Sequence, residues 1–293
     1  MALLRFRKAL DTASIPGDWT LVRLTLDWAA CPLLLYAEGK PPQPDFHTDR
    51  DAWSAWYRTP PRAHHVVYWE SDQLQSVGFD ESQGLSTFHV QRFEAGWLLG
   101  ERRGGRTTIY DKHGAVRSTI DLGDASEDLQ TTPDGLIWVS YFDEGVFGAS
   151  IGQQGLVCFN SAGEPVFKYA EFAEPADLPM ICDCYAMNVD QTSAVWINYY
   201  TDFPLVRLRN FKLDQVWNSF GVLGKTFAVR GEQVIHLRQN QWVVSSLIGS
   251  LSSESIFVQA IDENEIAIRS ADIAARGVSL AINTGDAVYT LLG

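Results

Sequence analysis

A chain of 293 residues with 46% hydrophobic residues is long enough for one large all-β domain or for two ordinary domains, each with a buried core. Its formal net charge of −13 argues against nucleic acid as a ligand, because neutralising phosphates requires clustered lysine and arginine. The same acidity fits either plain solubility or an acidic face for a basic partner.

The N-terminal segment and the cysteines indicate the compartment. Arg5, Arg7 and Lys8 interrupt the first residues, so these form no apolar core of a signal peptide. The apolar run at 31–37 is far too short to span a bilayer. The four cysteines, at positions 31, 158, 182 and 184, show no framework spacing. We therefore expect a reduced, cytoplasmic protein with no membrane partner.

Strand signals recur along nearly the whole chain. Short β-branched runs of alternating hydrophobicity are bounded by Gly, Asp, Asn or Ser, which is typical of strands and turns. Helical patterns are found only at 49–57 and 171–178, in segments that read as insertions. The clearest strand runs are at residues 20–26, 66–69, 206–208, 234–237 and 265–268.

Two segments of the chain repeat one sequence pattern, which we call the Trp phrase. Residues 128–144 and 184–202 each contain a short run, an Asp-containing turn, an apolar–Trp pair, and then two aromatics followed by acid. A weaker third copy ends at Trp97, which lies 41 positions before Trp138, and Trp196 follows Trp138 by 58. Repeats at this spacing indicate stacked equivalent units, so they point to the fold before propensities are weighed.

Each repeated unit describes a four-stranded antiparallel meander and so resembles a blade of a β-propeller. The chain has no Gly-His…Trp-Asp pairing, which disfavours the WD40 class. The sequence of residues 133–138, Pro-Asp-Gly-Leu-Ile-Trp, resembles the blade sequences of the NHL, two-component-sensor and gluconolactonase-like propellers. The resemblance implies an all-β chain folded as a single β-propeller domain over residues 1–293.

We predict six four-stranded blades and a Pro-rich insertion at about 39–61. Residues 2–8 are expected to pair with residues 287–292, since an unclosed ring leaves strand edges unpaired. A seven-bladed ring with one blade hidden within 39–80, and a pair of β-sandwiches, are the alternatives. The six blades are expected at 18–80, 86–122, 126–169, 181–218, 221–248 and 255–293.

The aromatic and acidic ends of the two repeated phrases are the predicted partner-binding residues. Their loops are expected to lie side by side on adjacent blades, where exposed aromatics bordered by acids suit a protein interface. The alternative is that the aromatics are buried between blades. The predicted residues are Tyr141, Phe142, Asp143, Glu144, Tyr199, Tyr200 and Asp202.

A second candidate site is the mouth of the central channel, where the inner strands of a propeller begin. Converging carboxylates there could hold Ca²⁺ or Mg²⁺, which take oxygen ligands. The gluconolactonase-like resemblance implies a metal held by Glu, Asn and Asp from separate blades, whereas only Asn188 lies near such a position here. We predict no catalytic residue, no metal and no other cofactor, with Ca or Mg as the alternative. The candidate residues at the mouth are His89, Glu127, Asp128, Gln130, Asp183 and Tyr185.

Two classes of function are compatible with these features. The first is a non-catalytic, monomeric binding or scaffold propeller that recognises a protein partner through an acidic, aromatic loop face; an inhibitor or immunity protein for a basic partner is its more specific form. The second is a metal-dependent lactonase or hydrolase with its site in the channel. The chain has no Gly-x-Ser-x-Gly nucleophile elbow. The basic turn at 101–106 reads as a solvated hairpin tip.

Overall fold

The described residues form six four-stranded antiparallel units, arranged as the blades of a β-propeller. The first strand of each blade contacts the first strands of both neighbouring blades, so the six first strands close a ring around a central channel. The predicted fold, an all-β propeller of six blades, is confirmed. The computed structural model describes residues 2–42, 44–45, 47–70, 73–79, 87–218, 220–248, 255–269 and 272–292, with the backbone alone at position 57.

The first three blades follow one another along the chain. Strand β1, Ala2–Asp11, precedes them and belongs to the last blade. Blade one contains β2 to β5, at Trp19–Leu26, Pro32–Glu38, His64–Glu70 and Gln73–Phe79. Blade two contains β6 to β9, at Thr87–Phe93, Gly96–Glu101, Arg106–Tyr110 and Val116–Asp121. Blade three contains β10 to β13, at Ser126–Thr131, Ile137–Tyr141, Leu156–Phe159 and Pro165–Lys168.

The remaining three blades complete the ring. Blade four contains β14 to β17, at Asp183–Val189, Val195–Tyr200, Leu205–Arg209 and Lys212–Trp217. Blade five contains β18 to β21, at Phe227–Arg230, Gln233–Arg238, Gln241–Ser246 and Ser255–Ile261. Blade six contains β22 to β24, at Asp272–Arg276, Ser279–Asn283 and Ala287–Leu291, together with β1.

The N-terminal strand closes the ring by joining the last two blades. Residues 6–11 of β1 pair antiparallel with β24, from Phe6 opposite Leu291 to Asp11 opposite Ala287. Residues 2–5 pair in parallel with β21 of blade five. The predicted pairing with residues 287–292 is confirmed, but the pairing segment of β1 starts and ends later than expected. Because β1 pairs on both edges, it leaves neither β21 nor β24 as an open strand edge there.

The boundaries of the last two blades differ from the prediction. Blade five extends to Ile261, rather than ending at 248, because β21 supplies its fourth strand. Blade six therefore begins at Asp272, and residues 265–268 form only one isolated bridge, between Ala267 and Ile261. These blades lack the Trp phrase, so the pattern that located the earlier blades was missing.

Three short α-helices lie between strands in the described part of the chain. They are α1 at Arg50–Arg58, α2 at Asp143–Val146 and α3 at Tyr169–Ala173. Asp49 caps helix α1, since its side chain accepts a hydrogen bond from the Ala52 amide, and the helix lies between residues 39 and 61. None of the described helices combines the length and the apolar character needed to cross a membrane.

Asx turns join many of the strands. In each, one side-chain oxygen accepts hydrogen bonds from the backbone amides two and four residues further along, so the chain reverses direction within a few residues. Asp190 Oδ1, for example, accepts from Thr192 and Ala194 at 2.8 and 3.0 Å. This turn returns the chain at the end where the inner strands finish. The same arrangement occurs at Asp27, Asp111, Asn160 and Asp262.

The core lies between the sheets, where the tryptophans of the repeated phrases pack in equivalent places. Trp138 and Trp196 lie on the second strands of blades three and four, opposite Gln130 and Asn188 of the inner strands. Each packs against an aromatic ring of its own blade's fourth strand, with ring centroids 5.5 Å apart in both blades. Full burial of a large apolar side chain stabilises the fold by about 1.5–3 kcal/mol. The repeat in the sequence is therefore a repeat in the packing.

All six inner strands begin at the same end of the channel. The loops between the second and third strands of the blades lie at that end too, since successive antiparallel strands alternate in direction. We call this end the loop face. Its loops include residues 102–105 of blade two, 142–155 of blade three (the blade-three loop), 201–204 of blade four (the blade-four loop) and 239–240 of blade five.

Candidate functional site

Two of the predicted partner-binding tyrosines belong to the core. Tyr141 and Tyr199 are fully buried, so the expectation that their rings lie exposed on the loop face is wrong. The Tyr141 hydroxyl donates to the carbonyl of Leu122. The Tyr199 hydroxyl lies 2.7 Å from the Tyr169 hydroxyl and 3.1 Å from the Pro179 carbonyl. These hydrogen bonds satisfy both phenols between the sheets, and burial raises the pKa of Tyr199 to about 12.

The other five predicted residues do lie on the loop face. Asp143 and Glu144 begin helix α2 of the blade-three loop and are exposed. Phe142, just before them, is half-buried. Tyr200, the last residue of β15, is 50% exposed, and Asp202 in the next loop is exposed. The face is therefore acidic and aromatic, although two of its expected rings are absent from it.

Arginines from blade two cover the blade-three loop. The guanidinium carbons of Arg102 and Arg103 each lie 4.9 Å from the centre of the Phe142 ring. Arg103 also forms an ion pair with Glu144 at 2.9 Å. The basic turn at 101–106 is thus bound to its neighbour, which corrects its interpretation as a solvated tip. The sequence could have indicated this contact, because the loops between the second and third strands of neighbouring blades lie next to each other in a propeller.

The blade-four loop holds an aromatic ring in a strained backbone. Asp202 and Phe203 both have positive φ angles, of 65° and 48°, in the left-handed region that L-residues rarely adopt. Hydrogen bonds hold this conformation: Gly221 N–H donates to the Phe203 carbonyl at 3.1 Å, and Asn198 Nδ2 donates to the Pro204 carbonyl at 2.9 Å. The loop is therefore fixed in shape, and it presents Phe203 beside β14 and β15.

Three aromatic side chains meet at this loop. The Phe203 ring centre lies 5.6 Å from that of Tyr185 and 5.5 Å from that of Tyr200. Asp183 lies two residues before Tyr185 on β14 and pairs with Tyr200 in the sheet register. A β-bulge interrupts the strand between Asp183 and Ala186. We call Asp183, Tyr185, Tyr200 and Phe203 the aromatic corner. The sequence prediction included three of these residues but divided them between two sites.

Negative charge accumulates around Asp183. Its pKa is raised to about 6, first by burial and then by the nearby carboxylates of Asp143 and Glu127; Glu144 adds to the shift and Lys225 opposes it. The side chain is half-buried and forms no ion pair within the described residues. Asp183 therefore lies where another cation would be stabilised.

The channel mouth is a cavity of about 450 Å³ with charged walls. Arg23 lies 2.5 Å from Asp128 and 3.3 Å from Nδ1 of His89, which is buried and whose Nε2 lies 2.9 Å from the Ser126 hydroxyl. Burial, together with Arg23, lowers the pKa of His89 well below its usual value. Of the six residues predicted for the mouth, four line the cavity: Glu127, Asp128, Gln130 and Tyr185.

Two of the three acids that line the mouth, Glu127 and Asp128, are paired with cations of the same chain. Glu127 is held by Arg102 and by Lys225, the latter at 3.2 Å, while Arg23 pairs with Asp128. Within the described residues no group of three or more His, Cys, Asp or Glu side chains could hold a metal ion. The donor set at the mouth therefore does not fit a calcium or magnesium site of the gluconolactonase-like kind.

The opposite end of the channel contains a buried polar network. Arg276, 1% exposed, donates to Gln130 Oε1 at 3.3 Å and to the Thr131 carbonyl. Asn188 Nδ2 donates to the Phe227 and Gly277 carbonyls at 2.7 and 3.0 Å. These bonds link blades three, four, five and six across the channel. Gln130 and Asn188 are therefore engaged in holding the ring together.

The comparisons with known proteins identify the fold. The YxzG family model matches residues 156–291. The curated proteins contain no match. The chain is similar to the structure of virginiamycin B lyase from Staphylococcus aureus, with 11% identity, 98% of this chain and 85% of that chain covered, and a TM-score of 0.54. It is also similar to a streptogramin B lyase structure, with 10% identity, 98% and 97% covered, and a TM-score of 0.53. At such low identity these similarities show the β-propeller fold alone.

Proposed function

We propose that this β-propeller is a non-catalytic binding module whose loop face docks a protein partner that carries basic side chains. The observation that supports this most is the aromatic corner, in which the half-exposed Tyr200 and two partly buried rings lie beside a carboxylate that has no ion-pair partner in the described structure. Tyrosine is enriched among the residues that dominate binding energy at interfaces. A rigid ring of sheets keeps such loops fixed in place before binding, which lowers the entropic cost of association.

The charge of the whole chain supports a basic partner. A formal net charge of −13 attracts a cationic protein over distances of a Debye length and speeds association. It also disfavours acidic competitors. An inhibitor or immunity protein for a basic toxin or enzyme is the specific form of this proposal, because such a protein needs tight, fast binding and no chemistry of its own.

The chemistry of the channel mouth favours binding over catalysis. Asp128 and Glu127 are paired with Arg23, Arg102 and Lys225, and His89 is buried. Glu127 and Asp128 line the cavity, but these ion pairs already engage their carboxylates, whereas a general base has to accept a substrate proton. The second candidate, a metal-dependent lactonase or hydrolase, draws its support from the size of the cavity alone. Elemental analysis and a lactone hydrolysis assay on the purified protein test it.

Affinity capture from the native host tests the proposed function. The wild type is compared with a loop-face variant, Tyr200→Ala with Asp202→Asn. The matched control is Val278→Ala with Glu232→Gln, which makes the same change of charge at exposed positions beyond the opposite end of the channel. Captured proteins are identified by mass spectrometry at salt concentrations of about 50 and 300 mM, since added salt screens exposed charges.

The expected result is a partner with net positive charge that the wild type and the control both retain. The loop-face variant should lose it, and the higher salt should weaken its retention. Retention of the same partner by the loop-face variant, or capture of only acidic partners, would contradict the proposal.

A further inference from the structure

The blade-three loop shows how an aromatic and acidic loop of this propeller binds a cation. Arg102 and Arg103 stack on Phe142, and Arg103 pairs with Glu144. A guanidinium group suits this place because it is planar, stacks on aromatic faces and donates to carboxylates in a fixed fork. In blade three these guanidinium groups come from the protein's own neighbouring blade.

The blade-four loop repeats the phrase without the arginines. Tyr200 and Asp202 occupy the positions that correspond to Phe142 and Glu144 after the Trp strand. Phe203 contacts both Tyr185 and Tyr200, and none of the three rings has a cation over it in the described structure. Tyr200 remains half exposed, so its ring is open to a partner.

The difference arises from what the preceding blade supplies. Blade two places a basic turn against the blade-three loop, whereas blade three places the acidic residues Asp143 and Glu144 near Asp183. Lys225 lowers the pKa of Asp183, but its ammonium pairs with Glu127. The aromatic corner is thus a place of negative charge beside open aromatic rings.

We propose that the aromatic corner is a subsite for one arginine side chain of the partner, with Tyr200 and Phe203 stacking on the guanidinium and Asp183 accepting its hydrogen bonds. This inference rests on the proposed function and specifies its chemistry. The arginine would stack on Tyr200 as Arg103 stacks on Phe142, but its carboxylate partner would be Asp183 rather than Asp202, the counterpart of Glu144. Lysine would bind more weakly, because its ammonium lacks the planar fork.

The pH dependence of binding should follow from the charges that face Asp183. These are Asp143 and Glu144 on helix α2, Glu127 on β10, and Lys225 in the loop before β18. A bound guanidinium favours the ionised carboxylate, so binding releases the proton that Asp183 holds below a pH of about 6. Affinity should therefore rise between about pH 5 and pH 7.

A labelled hexa-arginine peptide tests the subsite without any knowledge of the partner. Fluorescence anisotropy gives its affinity for the wild type, for Tyr200→Ala, for Asp183→Asn and for the Val278→Ala, Glu232→Gln control. Each corner variant should weaken binding by about five- to tenfold, as expected for a cation–π contact or a charge-assisted hydrogen bond. The control should bind like the wild type, and hexa-lysine should bind more weakly than hexa-arginine.

Each outcome decides the matter. Equal affinity of the wild type and both corner variants would overturn the subsite, as would equal affinity for the two peptides with no pH dependence. If the corner variants lose the peptide but retain a partner captured from lysate, the subsite exists and the docking face of the proposed function is wrong. If they retain the peptide and lose the partner, the docking face stands and the arginine subsite is wrong. Circular dichroism confirms that each variant is folded.

Discussion

The blade-three and blade-four loops begin from the same sequence phrase and differ in what surrounds them. Both follow a Trp strand that carries a buried tyrosine near its end, Tyr141 or Tyr199. The blade-three loop meets a basic turn from blade two, so arginines of the same chain already occupy its aromatic and acidic groups. The blade-four loop meets the acidic start of helix α2, so its charges accumulate. A repeated phrase therefore determines the packing of a blade, while the neighbouring blade determines its binding chemistry.

The largest expected effect is on stability: replacing a buried tyrosine should cost far more free energy of unfolding than replacing the exposed Tyr200. Tyr199→Ala and Tyr141→Ala should each lower the free energy of unfolding by about 3–5 kcal/mol, because each leaves a cavity and unpaired polar groups. Tyr200→Ala should change it by less than about 0.5 kcal/mol, since the ring is half exposed. Urea unfolding measures all three. Similar losses at Tyr199 and Tyr200 would show that the two rings share one environment.

The second prediction converts one loop into the other. Arg102→Ala with Arg103→Ala uncovers Phe142 and Glu144, so the blade-three loop should become able to bind arginine. Affinity for hexa-arginine should rise by about fivefold, because the change removes two competing cations, frees Glu144 and leaves Glu127 with Lys225 as its one ion-pair partner in the described structure. Lys212→Ala with Lys168→Ala, two other cations, serves as the control for net charge. An equal gain in this control would assign the effect to net charge alone.

The third prediction concerns stability and pH at Asp183. Its pKa is raised from 3.8 to about 6 in the folded state, so the folded protein binds more protons than the unfolded chain between these values. Stability from this group is therefore present below about pH 4 and is lost as the pH rises through about 6. Asp183→Asn replaces the carboxyl by an amide that does not ionise, so the variant keeps this stability at high pH. It should be more stable than the wild type by about 1 kcal/mol at pH 7.5, allowing for solvent screening.

Thermal unfolding at pH 4 and at pH 7.5 measures this effect. The gain of Asp183→Asn over the wild type should be present at the higher pH and nearly vanish at the lower. Glu232→Gln, at an exposed turn, should show no such difference. A variant less stable than the wild type at pH 7.5 would mean that Asp183 already has a stabilising cation.

The smallest expected effect is that of Lys225. Its ammonium lowers the pKa of Asp183 and pairs with Glu127. Lys225→Met should therefore raise the pKa of Asp183 by a few tenths of a unit, roughly what one exposed charge contributes. Carboxyl NMR of the variant and the wild type measures the shift. A lower pKa in the variant would contradict the charge pattern assigned to the loop face.

The sequence predicted the ring because the repeated phrase carries the packing of a blade. The predicted boundaries of blades five and six were wrong, because β21 pairs with both β20 and β1 and no Trp phrase marks that strand. The sequence also could not say which tyrosine of a pair is buried. Neighbouring residues on a strand point to opposite faces, so only one of Tyr199 and Tyr200 can enter the core, and both are aromatic.

The candidate site depended still more on contacts that the sequence does not reveal. The predicted partner-binding and channel-mouth residues were placed in two sites, yet Asp183 and Tyr185 lie with Tyr200 and Phe203 in one corner. The stacking of Arg102 and Arg103 on Phe142 joins residues about forty positions apart. Such pairs are set by the order of blades around the ring, which becomes known only when the strands are assembled.

The titration of the Asp183 carboxyl, followed by NMR with and without the hexa-arginine peptide, tests the open and acidic nature of the aromatic corner most directly. We predict a pKa near 6 in the free protein and a clear decrease when the peptide is bound, since a guanidinium placed there favours the ionised carboxylate. A pKa that stays the same while the peptide is bound would show that the cation lies elsewhere, and the contrast between the two loops would then have no bearing on binding.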